Sequence, residues 1–469
     1  MSGDDARADA AQVLGPGTQR VVLVGMVAYV AVGAFEALAV STAMPVAAAQ
    51  LDGLGLYTLA FAATTATSVV GMLTAGRWAD RTGPAAPMWA GVGLFLAGLG
   101  VAGLAWSMPV LLAGRALQGL GSGLSGVALY VVVARVFPAE RRAAVFAWFA
   151  AAWVLPGVVG PLLAGLVTEH LGWRWVFLGV PLLALPALLA LYPGLVAVRR
   201  SARGGTTAGT GGSDALRRVL VPVLRGERGL GTVVRVRACA SAAFAGAEVL
   251  LPLVLVHEHQ VSPAVAGSVL TLHVLGWQAG SWLRGRGLHG LSHQGFVRLG
   301  GALLAAGVGG TVMLALPGVP LPVAAAPWVL AGLGMGLTYP TLSLLVLDLA
   351  PREVQGTAAS ALQVSDAVAA AAALAGTGAL LWALHDVVGL TAYAVCLGLA
   401  AALALLVAAL AGRTAVTSAG PGPSRVVEPA GAHPGEDAGG HVGGHVGGTD
   451  ENHVTPGSTL RRPASAAPS

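Results

Sequence analysis

The sequence contains no lysine and no isoleucine, and only 10% of its 469 residues are charged. Soluble domains average roughly one quarter charged residues, so an ordinary soluble protein is not indicated. Without lysine there is no Gly-x-x-x-x-Gly-Lys loop to cradle nucleotide phosphates, which excludes an ATP-driven pump within this chain. The two cysteines, Cys239 and Cys396, each stand alone in an apolar run, so no disulfide or Cys-x-x-Cys site is predicted.

Twelve long apolar runs fill the chain from Val21 to Ala411, and hydrophobic residues make up 55% of it. A helix that crosses a bilayer needs roughly 20 mostly apolar residues. Arginine collects in the gaps after the even-numbered runs, including the gap Arg199–Arg237, whereas the other gaps contain little positive charge apart from Arg174. Short cytoplasmic loops retain arginine, so the even gaps are predicted to face the cytoplasm.

This alternation predicts an all-α protein of the plasma membrane with twelve transmembrane helices and both termini in the cytoplasm. A soluble, apolar helical protein would not explain the alternating charge. The net charge of +5 does not indicate nucleic-acid binding, because the arginines are spread over loops of one membrane face rather than gathered in a basic domain.

The runs fall into two sets of six, separated by a polar segment. The predicted divisions are a cytoplasmic N-terminal tail over 1–20, a six-helix bundle over 21–198, a cytoplasmic linker over 199–236, a second six-helix bundle over 237–411, and a disordered cytoplasmic tail over 412–469. The linker should contain a flexible stretch and an amphipathic helix on the inner membrane surface. The tail has too little apolar content to fold alone.

The two sets of runs are internally related. Gly119, Gly121, Gly123 and Pro138 have counterparts Gly332, Gly334, Gly336 and Pro351, each 213 positions later (332 − 119 and 351 − 138). This shared offset predicts two pseudo-symmetric bundles with a cavity between them, the layout used for alternating access.

Charged and polar side chains inside the apolar runs are candidate functional residues, because burying them in a membrane is costly. They are Glu36 in the first run, Arg115 and Gln118 in the fourth, Glu248 in the seventh and Asp366 in the eleventh. A carboxylate in a narrow cavity can carry a proton and, when ionised, can hold a cationic group. Three alternatives stay open: Glu36 bonds a neighbouring helix for structure, Arg115 snorkels to an interface, or Asp366 pairs within its bundle.

Other polar residues are weaker candidates. His273, Gln278 and Gln363 accompany the acids in the second half, and Asp348 is expected to be a charge beside a loop. The outer segment 257–259 (His-Glu-His) and the tail residues His433, His441, His445 and His453 could hold a metal, but solvated residues are the better interpretation. We therefore predict no metal site and no cofactor; the energy source would be the proton gradient.

Three motifs give the chain a family resemblance. The segment Gly76-Arg77-Trp78-Ala79-Asp80-Arg81-Thr82-Gly83 resembles the loop signature Gly-x-Leu-x-Asp-Arg-x-Gly-Arg-Lys of the major facilitator superfamily, with Trp for Leu and Pro-Ala for the final basic pair. The segment Arg115-Ala116-Leu117-Gln118-Gly119 is similar to the Arg-x-x-Gln-Gly motif of its proton-coupled branch. In the fifth run, Pro156, Gly157, Gly160, Pro161 and Gly165 lie in a stretch similar to the Gly-Pro-x-x-Gly-Gly signature of drug–proton antiporters, with Ala164 for one Gly.

The resemblance implies a major facilitator fold and a secondary transporter, not an enzyme. It implies that Gly76 allows two helices to approach closely, and that Asp80 pairs with an arginine or a helix N-terminus in the outward-facing state. Drug antiporters of the family place an Asp where Glu36 stands, nine residues before Pro45. Helices one, four, seven and ten line the cavity in this fold, so Glu36, Arg115 and Glu248 would be the best-placed trio.

The function that this implies is export of small amphipathic organic compounds or drugs by proton antiport. The expected partners are the substrate, protons and the lipid bilayer, with the chain acting as a monomer. Two alternatives remain: uptake of a specific nutrient by proton symport, and a membrane receptor or scaffold that does not transport.

Overall fold

Helices make up nearly all of the chain that the computed structural model describes, which is residues 15–202, 229–287, 290–350 and 355–415. The helical segments are α1 Pro16–Gln50, α2 Tyr57–Thr82, α3 Ala85–Gly103, α4 Met108–Val136, α5 Ala139–Ala151 continuing as Val154–His170, α6 Arg174–Leu178 continuing as Val180–Ala202, α7 Leu230–Leu253, α8 Pro263–Arg286, α9 His293–Gly310, α10 Trp328–Leu349, α11 Gln355–Val388 and α12 Thr391–Leu410. Short helical turns follow α7 (Val254–Glu258), α9 (Thr311–Ala315) and α12 (Ala411–Thr414). No strand occurs within these ranges, so the predicted all-α class is confirmed.

Eleven helical stretches of the described chain are long and apolar enough to cross a membrane. They correspond to all of the segments except α8. That helix has 24 residues, enough to span, but it is less apolar because it carries His273, Gln278 and two arginines in its last turn.

Several predicted boundaries differ from the structure. Helix α1 begins at Pro16 rather than Val21, because proline is well suited to the first helical turn, where no backbone N–H is needed. Helix α6 continues to Ala202 and α7 begins at Leu230, so both ends of the predicted linker are helical. The amphipathic linker segment, Pro351 and the tail histidines lie outside the described residues.

The glycines that suggested an internal repeat occupy equivalent positions in the two halves. Gly119 of α4 lies so close to Thr64 of α2 that a Cβ atom would overlap the Thr64 carbonyl, and Gly332 of α10 has the same relation to His273 of α8. A Cβ atom at Gly123 would likewise overlap the Ser68 carbonyl, and one at Gly336 would overlap the Trp277 carbonyl. Gly121 lies against α3, and Gly334 lies against α9. The contacted residues are themselves 209 positions apart (273 − 64 and 277 − 68). Small residues at both crossings allow the backbones to touch.

The two halves meet at the helix ends predicted to lie outside the cell. Helix α2 packs on α11, and α5 packs on α8. The Tyr57 hydroxyl, at the start of α2, donates a hydrogen bond of 2.9 Å to the Val249 carbonyl of α7. Gly165, near the end of α5, lies against the backbone of Ala264 at the start of α8. These contacts close the outer end of the molecule.

Candidate functional site

A cavity of about 880 Å³ lies between the two halves. Helices α1, α2 and α5 supply one wall, and α7, α8, α10 and α11 supply the other. The cavity extends toward the predicted cytoplasmic ends: Met72 lies in the latter half of α2, Ala150 lies near the start of α5, and Ser343 lies near the end of α10. With the outer end closed, this is an inward-facing arrangement under the predicted orientation.

Three of the candidate residues form a buried cluster between α1 and α4. Arg115 Nη1 donates hydrogen bonds to Glu36 Oε1 at 2.5 Å and to Gln118 Oε1 at 3.0 Å. Gln118 Nε2 donates to the same Glu36 oxygen at 3.0 Å. Arg115 and Gln118 are three residues apart and so lie on one face of α4. The three side chains therefore complete a closed triangle of hydrogen bonds.

This cluster is separate from the cavity surface. The Arg115 and Glu36 side chains are 5% and 7% exposed, and none of the three residues lines the cavity. The alternative in which Arg115 snorkels to an interface is therefore wrong. When a carboxylate and a guanidinium are buried together, their attraction offsets part of the free-energy cost of removing each from water. Protonation of Glu36 would remove this attraction and so alter the contact between α1 and α4.

A second charged cluster, which the sequence did not predict as a unit, lies in the other half. Arg237 Nε donates to Asp366 Oδ2 at 2.7 Å, and Ser241 Oγ donates to Asp366 Oδ1 at 2.9 Å. Tyr339 Oη also donates to Asp366 Oδ2, at 3.1 Å. The Arg237 guanidinium lies 3.2 Å from the centre of the Tyr339 ring. In this conformation Asp366 is therefore paired with residues of its own bundle, which is the alternative left open for it by the sequence.

Arg237 itself was missed because it ends the arginine-rich gap after the sixth run and was counted with the loop arginines. In the structure it is buried, 6% exposed, two turns inside α7. One signal for its burial was available in the local sequence. Val233, Val234 and Val236 precede Arg237, so the apolar run of α7 begins before this arginine rather than after it.

Glu248 lies apart from both clusters. It lines the cavity, and its side chain is 26% exposed. His273 Nε2 lies 3.8 Å from Glu248 Oε1, which is beyond hydrogen-bonding distance. The predicted trio is therefore divided: Glu36 and Arg115 are paired in a sealed site, whereas Glu248 faces the cavity. Gln278 and Gln363 line the same cavity.

The loop motif after α2 is not engaged in this conformation. A Cβ atom at Gly76 would meet nothing within 4 Å, so no second helix approaches Gly76 closely in this inward-facing arrangement, and the close approach expected there stays a prediction for the outward-facing state. Asp80 and Arg81 are exposed and form no ion pair with any described residue. Gly83 ends α2 with a φ of 81°, a conformation that favours glycine. An unpaired Asp80 agrees with a motif whose contact belongs to the outward-facing state.

The helix-five motif lies where the two halves meet. Gly157 faces Val274 of α8, and the Pro161 carbonyl lies against Gly267 of the same helix. The remaining motif residues lie along this stretch as follows: Pro156 and Gly160 precede Pro161, and Gly165 reaches the start of α8. Small residues and a proline carbonyl thus allow direct contact between α5 and α8.

The remaining candidates are peripheral. Asp348 is exposed at the end of α10, 4.0 Å from His293, as expected of a charge beside a loop. At the outer end, His257 Nδ1 lies 3.1 Å from Glu258, and the Tyr393 hydroxyl donates to the same carboxylate at 3.2 Å. No group of three metal-ligating side chains occurs among the described residues.

Comparison with known proteins connects this geometry to a family. The model of the Major Facilitator Superfamily matches residues 21–374. The multidrug transporter protein MdtP of Bacillus subtilis (strain 168) is 31% identical over 164 residues, 35% of this chain and 30% of that protein. Multidrug resistance protein 3 of the same organism is 30% identical over 167 residues, 35% of this chain and 33% of that protein. The chain thus spans about a third of the length of these relatives.

Solved structures match over nearly the full length. The peptide transporter POT in complex with sulfate has a TM-score of 0.61 at 19% identity, covering 88% of this chain and 99% of that chain. The D-xylose-proton symporter has a TM-score of 0.58 at 17% identity, covering 86% and 97%. At these identities the likeness shows a common fold.

Proposed function

The chain belongs to the major facilitator superfamily, and we propose that it exports small amphipathic organic compounds by proton antiport with alternating access. Membership makes it a multi-pass membrane transporter rather than an enzyme. The observation that carries the proposal is the buried Glu36–Arg115–Gln118 cluster, a titratable group enclosed in the membrane-spanning part of the protein. Similarity to two multidrug transporters over about a third of the chain supports export.

The proposed cycle uses the cluster as a proton switch. In the inward-facing state the cavity takes up cargo from the cytoplasm. After the cavity opens outward, a proton from outside neutralises Glu36 or Glu248 and cargo leaves. Loss of the negative charge opposite Arg115 weakens the contact between α1 and α4. The two protonation states therefore stabilise different arrangements, which is the requirement for coupling.

The two alternatives remain distinguishable. Proton symport of a nutrient uses the same fold, as the D-xylose-proton symporter illustrates, but the resemblance of the fifth-helix segment to the antiporter signature favours export. A scaffold without transport would have no use for two buried ion pairs, whose desolvation cost favours apolar replacement.

Reconstituted vesicles test the proposal. With a pH gradient imposed across the membrane, we expect the wild-type protein to move ethidium, an amphipathic dye, against its gradient. Glu36→Gln should abolish gradient-driven movement while the protein remains folded in the membrane. Glu258→Gln, at the outer end of the molecule and away from the cavity, is the matched control and should transport normally.

Two results would contradict this assignment. Dye movement that is indifferent to acidification on either side of the membrane would exclude proton antiport. Normal transport by Glu36→Gln, by Glu248→Gln and by the double variant would show that neither carboxylate carries the coupling proton.

A further inference from the structure

The predicted cytoplasmic end of the second half carries an excess of positive charge. Four arginines lie there: Arg284 and Arg286 in the last turn of α8, Arg298 on α9 and Arg413 after α12. Among the described residues, Asp348 at the end of α10 is the one acid at this end, and it lies 4.0 Å from His293. This surface therefore has more cations than the described carboxylates can neutralise.

The two arginines of α8 are held differently. Arg284 Nε donates a hydrogen bond of 2.8 Å to Thr341 Oγ1 of α10, and its guanidinium lies 4.6 Å from the centre of the Phe296 ring of α9. Arg286 is exposed and forms no ion pair with a described residue. Its guanidinium lies 4.0 Å from the centre of the Trp282 ring, one turn earlier on α8. Arg284 thus joins α8 to α9 and α10, whereas Arg286 is available to an anion from outside the chain.

The internal repeat shows what Arg286 lacks. Gly285 and Arg286 stand 209 positions after Gly76 and Arg77, the offset that also relates the helix contacts of the two halves (285 − 76 and 286 − 77). In the first half Asp80 follows Arg77 by three residues, but the equivalent position, 289, is a histidine. The second copy of this loop motif therefore has the arginine without the carboxylate.

Trp282 and Arg286 lie on an outward face of α8. Leu275, Ala279, Trp282 and Arg286 are all exposed, and their spacings of four, three and four residues place them on one side of the helix. The Leu275 and Trp282 side chains are 49% and 55% exposed. On a membrane-spanning helix this face meets lipid, and toward the cytoplasm it presents an aliphatic chain, an aromatic ring and then a cation. A phospholipid of the inner leaflet presents its acyl chain, interface and phosphate in the same order.

We propose that Arg286 and Trp282 form a docking site for an anionic phospholipid of the inner leaflet. The Arg286 guanidinium binds the headgroup phosphate, because its paired N–H donors match phosphate oxygens. The Trp282 ring packs against the glycerol and the upper acyl chain. Arginine near the cytoplasmic surface favours headgroups with a net negative charge, and the apolar face beside it favours a lipid over a free anion. The site does not depend on which cargo the protein carries.

Native mass spectrometry of the detergent-solubilised full chain tests this site. Dioctanoyl phosphatidylglycerol, which is anionic, and dioctanoyl phosphatidylcholine, which is zwitterionic, are supplied together in equal amounts. The wild type should carry the phosphatidylglycerol at least about fivefold more often, the effect expected of one arginine near an anionic headgroup. Arg286→Gln should reduce this preference by about fivefold. Arg286→Lys retains the charge and should keep most of the preference.

Arg77→Gln is the matched control, because it removes the same charge at the equivalent exposed position of α2, where Asp80 is close in the sequence. Its preference should stay within about twofold of wild type. Equal losses from Arg77→Gln and Arg286→Gln would show only a general attraction of the inner surface for anionic lipid and would overturn the proposed site. An unchanged preference in Arg286→Gln, with the fold verified by its apparent Tm, would overturn it as well.

Inorganic phosphate distinguishes a lipid site from a site for a free anion. Added in excess, it should leave the bound phosphatidylglycerol in place, because it has no acyl chain to pack beside Trp282. Displacement of the lipid by phosphate would overturn the assignment to phospholipid. The assay contains no cargo and no pH gradient, so its result is separate from that of the vesicle experiment.

Discussion

Arg237 Nε and Asp366 Oδ2 lie 2.7 Å apart although 129 positions separate the two residues in the sequence. The pair joins α7 to α11, and the Tyr339 hydroxyl extends the connection to α10. The Arg237 and Asp366 side chains are 8% and 15% exposed, so each one compensates most of the desolvation of the other. The pair therefore holds together three helices of the cavity wall.

Arg237→Ala is expected to destabilise the protein more than the paired apolar change Arg237→Met with Asp366→Leu. Removing one partner leaves a buried, uncompensated charge and costs about 3–5 kcal/mol, whereas replacing both is close to neutral. Thermal unfolding in detergent measures the difference through the apparent Tm. A double variant as unstable as the sum of the two single changes would show that Arg237 and Asp366 are not energetically coupled.

Tyr57→Phe is expected to shift the protein toward conformations open to the outside. The change removes the hydrogen bond to the Val249 carbonyl between α2 and α7 at the closed outer end. One such bond contributes about 1 kcal/mol, enough to change a two-state population roughly fivefold. Distances between spin labels at the outer ends of α2 and α11, measured by double electron–electron resonance, report this population.

Tyr29→Phe is the matched control for that experiment. The Tyr29 hydroxyl donates to Ser125 at 2.8 Å, so the same chemical change removes a hydrogen bond inside the first half. The distance distribution at the outer end should stay at the wild-type position. Equal shifts from both substitutions would mean that Tyr57 has no particular role in closure.

Gly119→Ala is expected to destabilise the first half, whereas Gly126→Ala on the same helix is not. A Cβ atom at position 119 would overlap the Thr64 carbonyl of α2, and backbone cannot move aside as a side chain can. Overpacking of this kind costs about 1–3 kcal/mol. At Gly126 a Cβ atom meets nothing within 4 Å. Apparent Tm values in detergent compare the two, and equal values would refute the close crossing of α2 and α4.

Much of the fold was predictable because its signals are local. The bilayer acts on each span separately, so the length of an apolar run predicts a helix without knowledge of its neighbours. The glycines at constant offset also predicted the repeat, since the backbone contact that each one makes requires a small residue at that position. The small residues in the α5 motif permit close helix packing, and α5 packs directly on α8.

The candidate site was only partly predictable. Glu36, Arg115 and Gln118 were recognised as costly intramembrane residues, but their pairing was not, because the sequence does not state which face α1 turns toward α4. Arg237 was counted with the loop arginines, since a charged residue near the end of an apolar run can lie either in the helix or in the adjacent loop. Whether Asp80 is paired or unpaired depends on which conformation the protein adopts, and the sequence does not specify one conformation.

The sequence by itself determined the membrane-spanning class, the helix order and the predicted orientation, because hydropathy and charge act along the chain through interactions with lipid and water. Only the tertiary structure decided which carboxylate is sealed with Arg115, which is neutralised by Arg237, and which stands uncompensated in the cavity. The physical reason is that the surroundings of a buried charge come from other helices, distant in the chain and set by how the helices rotate and pack.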